Sequence, residues 1–297
     1  MKIFEYNPSC NPHPFVPSAA RSAVYRGIRT RDALPSIIIA RAIHSGRTVK
    51  KFYLFLLYSI ALVSSGLMLA ADAHGDTDLH RAVLCGDSDM VVLLLEQGAE
   101  VNACNADGQT PLHYAVHKGL NDIVKILLGA GALVTIGDRE GSTPLHYAAR
   151  TQNIELIEIL VEYCDVNSVN KYDGTPLQAA VFCRRVDAVK KLLELHADIN
   201  HQDFQGMTPL NMAALAGYAR IARILLAQGA EINKADYEGD TPLHNAAREN
   251  HTTTILELLA YHPALLLKNN DGQTARDVAM QAGNVNIANA LDYYEKK

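Results

Sequence analysis

Four histidines recur in one sequence context. His80 lies in "TDLHRA", His113 and His146 in "TPLHYA", and His244 in "TPLHNA". Imidazole binds zinc and exchanges protons near neutral pH, so a ladder of such histidines reads first as a metal or acid–base site. A thiol offers a second chemistry. Cys183 closes "TPLQAAVFC" and is followed by Arg184 and Arg185, whose charge favours a thiolate. Two copies argue against the first chemistry, because Gln178 and Asn211 stand where the histidine would be. What survives those replacements is hydrogen-bonding capacity, not affinity for a metal. "GAGA" at Gly129–Ala132 follows an apolar helical stripe rather than a strand, which fails the requirement for a phosphate loop. H-E-x-x-H, G-x-S-x-G and Cys-x-x-Cys are absent from the chain. The expectation is therefore no catalytic residue, no cofactor and no metal.

The elements that would position these residues repeat as well. Thr77, Thr110, Thr143, Thr175, Thr208, Thr241 and Thr274 are spaced 33, 33, 32, 33, 33 and 33. Proline follows five of them, which suits the first turn of a helix because its missing N–H costs nothing there. Nine residues past the threonine comes Gly86, Gly119, Gly217 or Gly283, and 21 past it Gly98, Gly131 or Gly229. The second set is placed to end a helix with a left-handed residue. Between them runs an apolar stripe such as Ile123, Val124, Leu127 and Leu128, at helical spacing. Each unit thus predicts a pair of short helices. One pair cannot bury its apolar face alone, so the units must stack as a quasi-one-dimensional array.

The unit resembles the ankyrin repeat, whose pattern is D-x-x-G-x-T-P-L-H-x-A. The resemblance covers about Asp72 to Asp292, seven units. It implies an all-α solenoid of helix-turn-helix units with finger-like hairpin loops. It also implies a structural histidine that bonds within its own helix-entry turn and to the neighbouring unit. Stacked units lie on the order of 10 Å apart, far beyond the roughly 2 Å ligand distances of zinc. The third unit is one residue short and has Cys164 at the cap-glycine position. The sixth is the most irregular, with Asn250 for the turn glycine and Thr254 in the stripe, and is expected to be locally looser. In the last unit Asp292 replaces a stripe leucine and gives a wetter end. Cys85 and Cys183 hold one register three units apart, so no intrachain disulfide is expected.

The same resemblance implies a protein-binding surface on the concave face, built from the loop tips and the exposed side of the first helix of each unit. At those positions stand Tyr172, Phe182, Phe204, Met207, Leu215 and Tyr237, flanked by Arg150 and Arg248 and extended by Tyr114 and Tyr147. Exposed aromatics with arginine at the rim have the composition of interface hot spots. Cys183 falls beside Phe182 at a contact position.

The amino-terminal quarter is a different kind of sequence. Residues 1–48 carry five prolines and scattered arginines without an apolar period, and read as disordered or as an overlong gene start. Lys50 and Lys51 precede a charge-free run from Phe52 to Ala71, followed by Ala71-Asp72-Ala73. This order matches a secretory signal peptide over 49–73, with Val49 in the place of an ordinary bacterial start. An uncleaved signal anchor over 52–71 is the alternative, since twenty residues just span a bilayer. Either one places residues 74–297 outside the cytoplasm, periplasmic or secreted. Met1–Lys51 has nine Lys/Arg against two Asp/Glu, whereas the remainder has 18 against 30. An acidic body excludes binding through clustered cations on a phosphate backbone, so no nucleic-acid partner is expected. The functional expectation is a non-enzymatic, exported adaptor, inhibitor or immunity-type binder of another protein. A redox-responsive protein acting through Cys183, or an enzyme with an unrecognised site, are the alternatives.

Overall fold

The structure is a computed structural model and describes residues 75–296. The basic segment 1–48 and the apolar segment 49–73 lie outside the described residues. Fourteen helices and no strand occur among the described residues. They run α1 (Asp78–Cys85), α2 (Ser88–Glu96), α3 (Pro111–Lys118), α4 (Asn121–Gly129), α5 (Pro144–Arg150), α6 (Ile154–Val161) and α7 (Pro176–Phe182). Then follow α8 (Val186–Glu194), α9 (Pro209–Leu215), α10 (Ala219–Ala227), α11 (Pro242–Arg248), α12 (Thr252–Leu259), α13 (Ala275–Gln281) and α14 (Val285–Glu295).

Each unit is one helix pair, and each first helix starts at the recurrent threonine. Thr77, Thr110, Thr143, Thr175, Thr208, Thr241 and Thr274 are all N-caps in extended backbone. Helices of seven to eleven residues are too short to persist alone in water. Stacking holds them: the odd-numbered helices α1 to α13 touch in succession, and α6, α8, α10 and α12 form a second row behind. The leucine two residues past the threonine is buried in every unit that has one, from Leu79 through Leu112, Leu145, Leu177 and Leu210 to Leu243. Small pairs such as Ala148 with Ala149 are fully buried and let adjacent first helices approach. Leu127, Leu160, Leu192, Leu225, Leu258 and Leu291 close the core from the second row. Burying such a side chain contributes about 1.5–3 kcal/mol.

The glycines sit where backbone chirality requires them, with φ of 71° at Gly86 and 86° at Gly98. Where glycine is missing, Arg184, His196, Asn250 and His262 take the left-handed conformation instead. The short third unit does without it: neither Gln152 nor Cys164 has positive φ. Its deletion is absorbed at the end of α6, before Asn167, so the loop that follows keeps its register.

The irregular sixth unit remains a full helix pair. Thr254 is completely buried in α12, and its hydroxyl finds no hydrogen-bond partner. Any loosening there comes from that unsatisfied group rather than from lost helix. At the carboxyl end Asp292 pairs with Lys296 and lies 3.8 Å from Arg276, which wets the last face.

Candidate functional site: the fingers and first-helix face

The histidines are built into the frame. In the second unit the backbone N–H of Thr110 donates to His113 Nδ1 (3.1 Å), and the Thr110 hydroxyl lies 2.9 Å from the same nitrogen. Nε2 then donates to the Ser142 carbonyl of the next unit (3.1 Å). Accepting at Nδ1 and donating at Nε2 fixes the neutral imidazole. His80, His146 and His244 repeat the pattern onto Gln109, Gly174 and Gln273. Gln178 reproduces both halves, accepting from Thr175 N (2.9 Å) and donating to the Met207 carbonyl (2.8 Å). Asn211 does the same between Thr208 and the Asp240 carbonyl. Both ring nitrogens of each histidine are thus engaged. Burial pushes the His113 and His146 pKa values below the ordinary histidine range. Among the described residues no group of three or more His, Cys, Asp or Glu is arranged to hold a metal ion.

The fingers are joined edge to edge by backbone bonds. Arg139 N donates to Asp107 O, Lys171 N to Glu140 O, Phe204 N to Tyr172 O, Tyr237 N to Gln205 O and Asn270 N to Glu238 O, all at 2.9–3.0 Å. Lys171 and Tyr172 therefore hold the expected finger positions, with Asp173 at φ 53° in the usual place of glycine. At each tip an Asx side chain fixes the turn: Asp203 accepts from Gln205 N and Met207 N, and Asp236 from Glu238 N and Asp240 N.

Tyr172, Phe204 and Tyr237 stand in sequence along this ladder. The first two rings pack at 5.5 Å between centroids. Tyr237 lies across the backbone of Gly206, where a Cβ would meet its ring at 2.5 Å, and is 66% exposed. Behind the fingers Phe182 (51% exposed) and Leu215 (37% exposed) project from the ends of α7 and α9 in the same register. Met207 is half-buried. Five of these six apolar residues, all but Met207, are exposed on units four to six.

The remaining expected contact residues have structural duties. Tyr114 is half-buried; its hydroxyl donates to the Asp76 carboxylate (3.1 Å) and its ring meets His80 edge-on. Tyr147 donates to Asp138 (2.7 Å), accepts from Gln109 (2.7 Å) and packs edge-on against His113. Burial and the bond to the Asp138 carboxylate push its pKa well above the ordinary phenol range. Both tyrosines tie neighbouring units together rather than extending the exposed stripe. Arg248 is bonded to the buried carboxylate of Asp240, which also accepts from Asn269 Nδ2 (2.9 Å). Arg150 stays exposed, with its guanidinium 5.8 Å above the Tyr147 ring.

Cys183 is a correction. Expected at the contact surface, it is buried at 7% exposure as the C-cap of α7, while Phe182 projects outward. A redox role would need a reagent to reach a residue that is only 7% exposed. Cys85 and Cys104 are exposed thiols. Cys164 is partly covered, and burial raises its pKa to about 11, away from the reactive thiolate.

One set of residues escaped sequence reasoning. Asn102, Asn167, Asn200 and Asn233 recur after an apolar residue, and each side-chain carbonyl accepts a backbone N–H of the next unit: Leu133, Asp198, Glu231 and Ala264, at 2.7–2.9 Å. The signal was the recurring "VN" and "IN" dipeptides, whose partner lies 31 residues away. A cleft at the start of α8, lined by Gln152, Arg184, Arg185 and Asp187, holds about 130 Å³. A small-molecule pocket takes roughly 300–1,000 Å³.

The family model for ankyrin repeats (3 copies) matches residues 41–138, 131–203, 169–236 and 210–296. Among solved structures, the ankyrin repeat domain of Bcl-3, a member of the IkappaB protein family, is similar at 31% identity. It covers 73% of this chain and 99% of that one, with a TM-score of 0.64. The human ASB11 ankyrin repeat domain is similar at 28% identity, covering 74% of this chain and 98% of that one, also at 0.64. No curated protein sequence matches the chain. With the repeat period, the capped helix pairs and the family model in agreement over most of its length, this chain belongs to the ankyrin repeat family.

Proposed function

We propose that this protein is an exported, non-enzymatic binder of another protein, acting as adaptor, inhibitor or neutraliser. Ankyrin repeat domains are in general protein–protein interaction modules. The single observation that carries the reading is the exposed apolar face of Tyr172, Phe204, Tyr237, Phe182 and Leu215 on a rigid, ladder-bonded frame. Large aromatics held in place bury area at little entropic cost, which is how hot spots work. Replacing Phe182, Phe204 and Tyr237 together by Ser should leave the circular dichroism spectrum unchanged and stability within about 1 kcal/mol, as exposed positions allow. Partner capture should be lost. Retention of full binding by the triple variant would defeat the reading.

Export rests on the sequence alone, on Lys50, Lys51 and the charge-free run to Ala71. In this reading residues 49–73 are a signal peptide or anchor, and 74–297 form one repeat domain beyond the membrane. Amino-terminal sequencing of the mature protein with cell fractionation tests it. A start near His74 outside the cytoplasm is expected, and an intact chain in the cytosol would refute it.

A further inference from the structure

The position seven residues past the threonine carries Arg150, Phe182, Leu215 and Arg248 in four successive units. The two arginines are not equivalent. Arg248 is already neutralised by the buried Asp240. Arg150 is exposed, and no carboxylate pairs with it, with Lys118 or with Arg184 among the described residues. Two of these cations, Arg150 and Arg184, are held against aromatic rings, and Lys118 is exposed. Arg150 sits 5.8 Å above the Tyr147 ring, and His117 packs edge-on against the same ring at 6.0 Å. His117 and Arg150 thus share the Tyr147 ring, and Lys118 is the next residue after His117 at the end of α3. Arg184 lies 5.5 Å above the Tyr218 ring. Arg185 Nε donates to the Arg150 carbonyl (2.7 Å) and links the third unit to the fourth.

In successive units Lys118, Arg150 and Arg184 thus form a basic row, each within two residues of the register that holds Phe182 and Leu215, on a body whose charge is otherwise strongly negative. The fingers of the third and fourth units carry both signs, in Arg139, Glu140 and Lys171. Cations preorganised on aromatic rings form charge-assisted bonds to carboxylates without first being ordered. Three cations beside an apolar centre are few for a phosphate backbone, whose affinity grows with the number of charges neutralised.

Resting on the interaction reading above, we infer that the partner docks an acidic polypeptide segment with apolar anchors. Its Asp or Glu side chains meet Lys118, Arg150 and Arg184, and its apolar side chains cover Phe182 and Leu215.

A displayed library of random short peptides, panned on the purified repeat array at physiological salt, tests this. Enriched sequences should combine Asp or Glu with aromatic or large aliphatic residues. One such peptide, synthesised and labelled, should bind the Arg150→Glu, Arg184→Glu double variant at least about tenfold more weakly. It should also lose about tenfold with Phe182→Ser, Leu215→Ser. Circular dichroism checks that both variants stay folded. Enrichment of neutral or basic peptides whose binding still needs Phe182 and Leu215 would overturn the acidic assignment and leave the interaction face standing. No enrichment, or enrichment indifferent to replacement of Phe182, Phe204 and Tyr237, would overturn both. A labelled single-stranded oligonucleotide binding more tightly than the best acidic peptide, and lost with Arg150→Glu, would show that the row serves a polyanion instead.

Discussion

His113 and His146 hold their units together only while neutral. Each accepts from a threonine N–H at Nδ1, and a proton there would turn an acceptor into a second donor facing a donor. Burial already lowers both pKa values from the ordinary histidine value. The unfolded chain therefore binds protons first as pH falls, and the stability contributed by these residues is complete above about pH 6.5. It declines as pH drops through that value toward the lower folded pKa values. Urea midpoints measured from about pH 7.5 down to about pH 5 should fall. The double variant His113→Gln, His146→Gln should flatten that fall, because Gln178 already makes the same two bonds without a titratable proton. An unchanged pH slope in the variant would show that other groups govern it.

The finger is the element on which the aromatic face depends, and glycine shapes it. Gly206 has φ 76°, and a side chain there would run into the Tyr237 ring and backbone. Gly98 has φ 86° and open space around it. Alanine at either position incurs left-handed strain of about 1–2 kcal/mol. Only Gly206→Ala should also displace Tyr237 and weaken partner or peptide binding. Equal binding by both variants at matched stability would mean that Tyr237 lies outside the contact. The third unit teaches a related lesson. A missing residue could have shifted Lys171 and Tyr172 out of line, but the end of α6 absorbs it, because a helix terminus can lose a cap residue more cheaply than a ladder can lose register.

At the scale of the whole array, each unit is stable only through its neighbours. Deleting residues 270–297 removes α13, on which α11 packs, and uncovers the apolar face below it. Loss of that packing should cost on the order of a few kcal/mol. The truncated chain should melt earlier and self-associate in light scattering. A monomer of unchanged stability would show that the sixth unit already caps the array.

The sequence alone determined the period, the helix pairs, their caps and the structural role of the histidines. These follow from residue types acting over a few positions: threonine accepts at a helix start, proline fits the first turn, and glycine adopts left-handed backbone. Repetition then extends each local rule along the chain. It also marked Tyr172, Phe182, Phe204, Leu215 and Tyr237 as outward-facing, since position within a repeat specifies which side faces outward, and all five are exposed. Only the tertiary structure decided which polar partners those positions meet. Tyr114 and Tyr147 were drawn into the frame by Asp76 and Asp138, and Arg248 by Asp240, while Arg150 was left unpaired. Cys183 turned inward where its neighbour Phe182 turned outward. The Asn102-type bonds join residues about thirty positions apart. The bonds of Tyr114 to Asp76, of Gln109 to Tyr147 and of the asparagines depend on what the next unit presents across the interface, and no rule acting within a single unit contains that information.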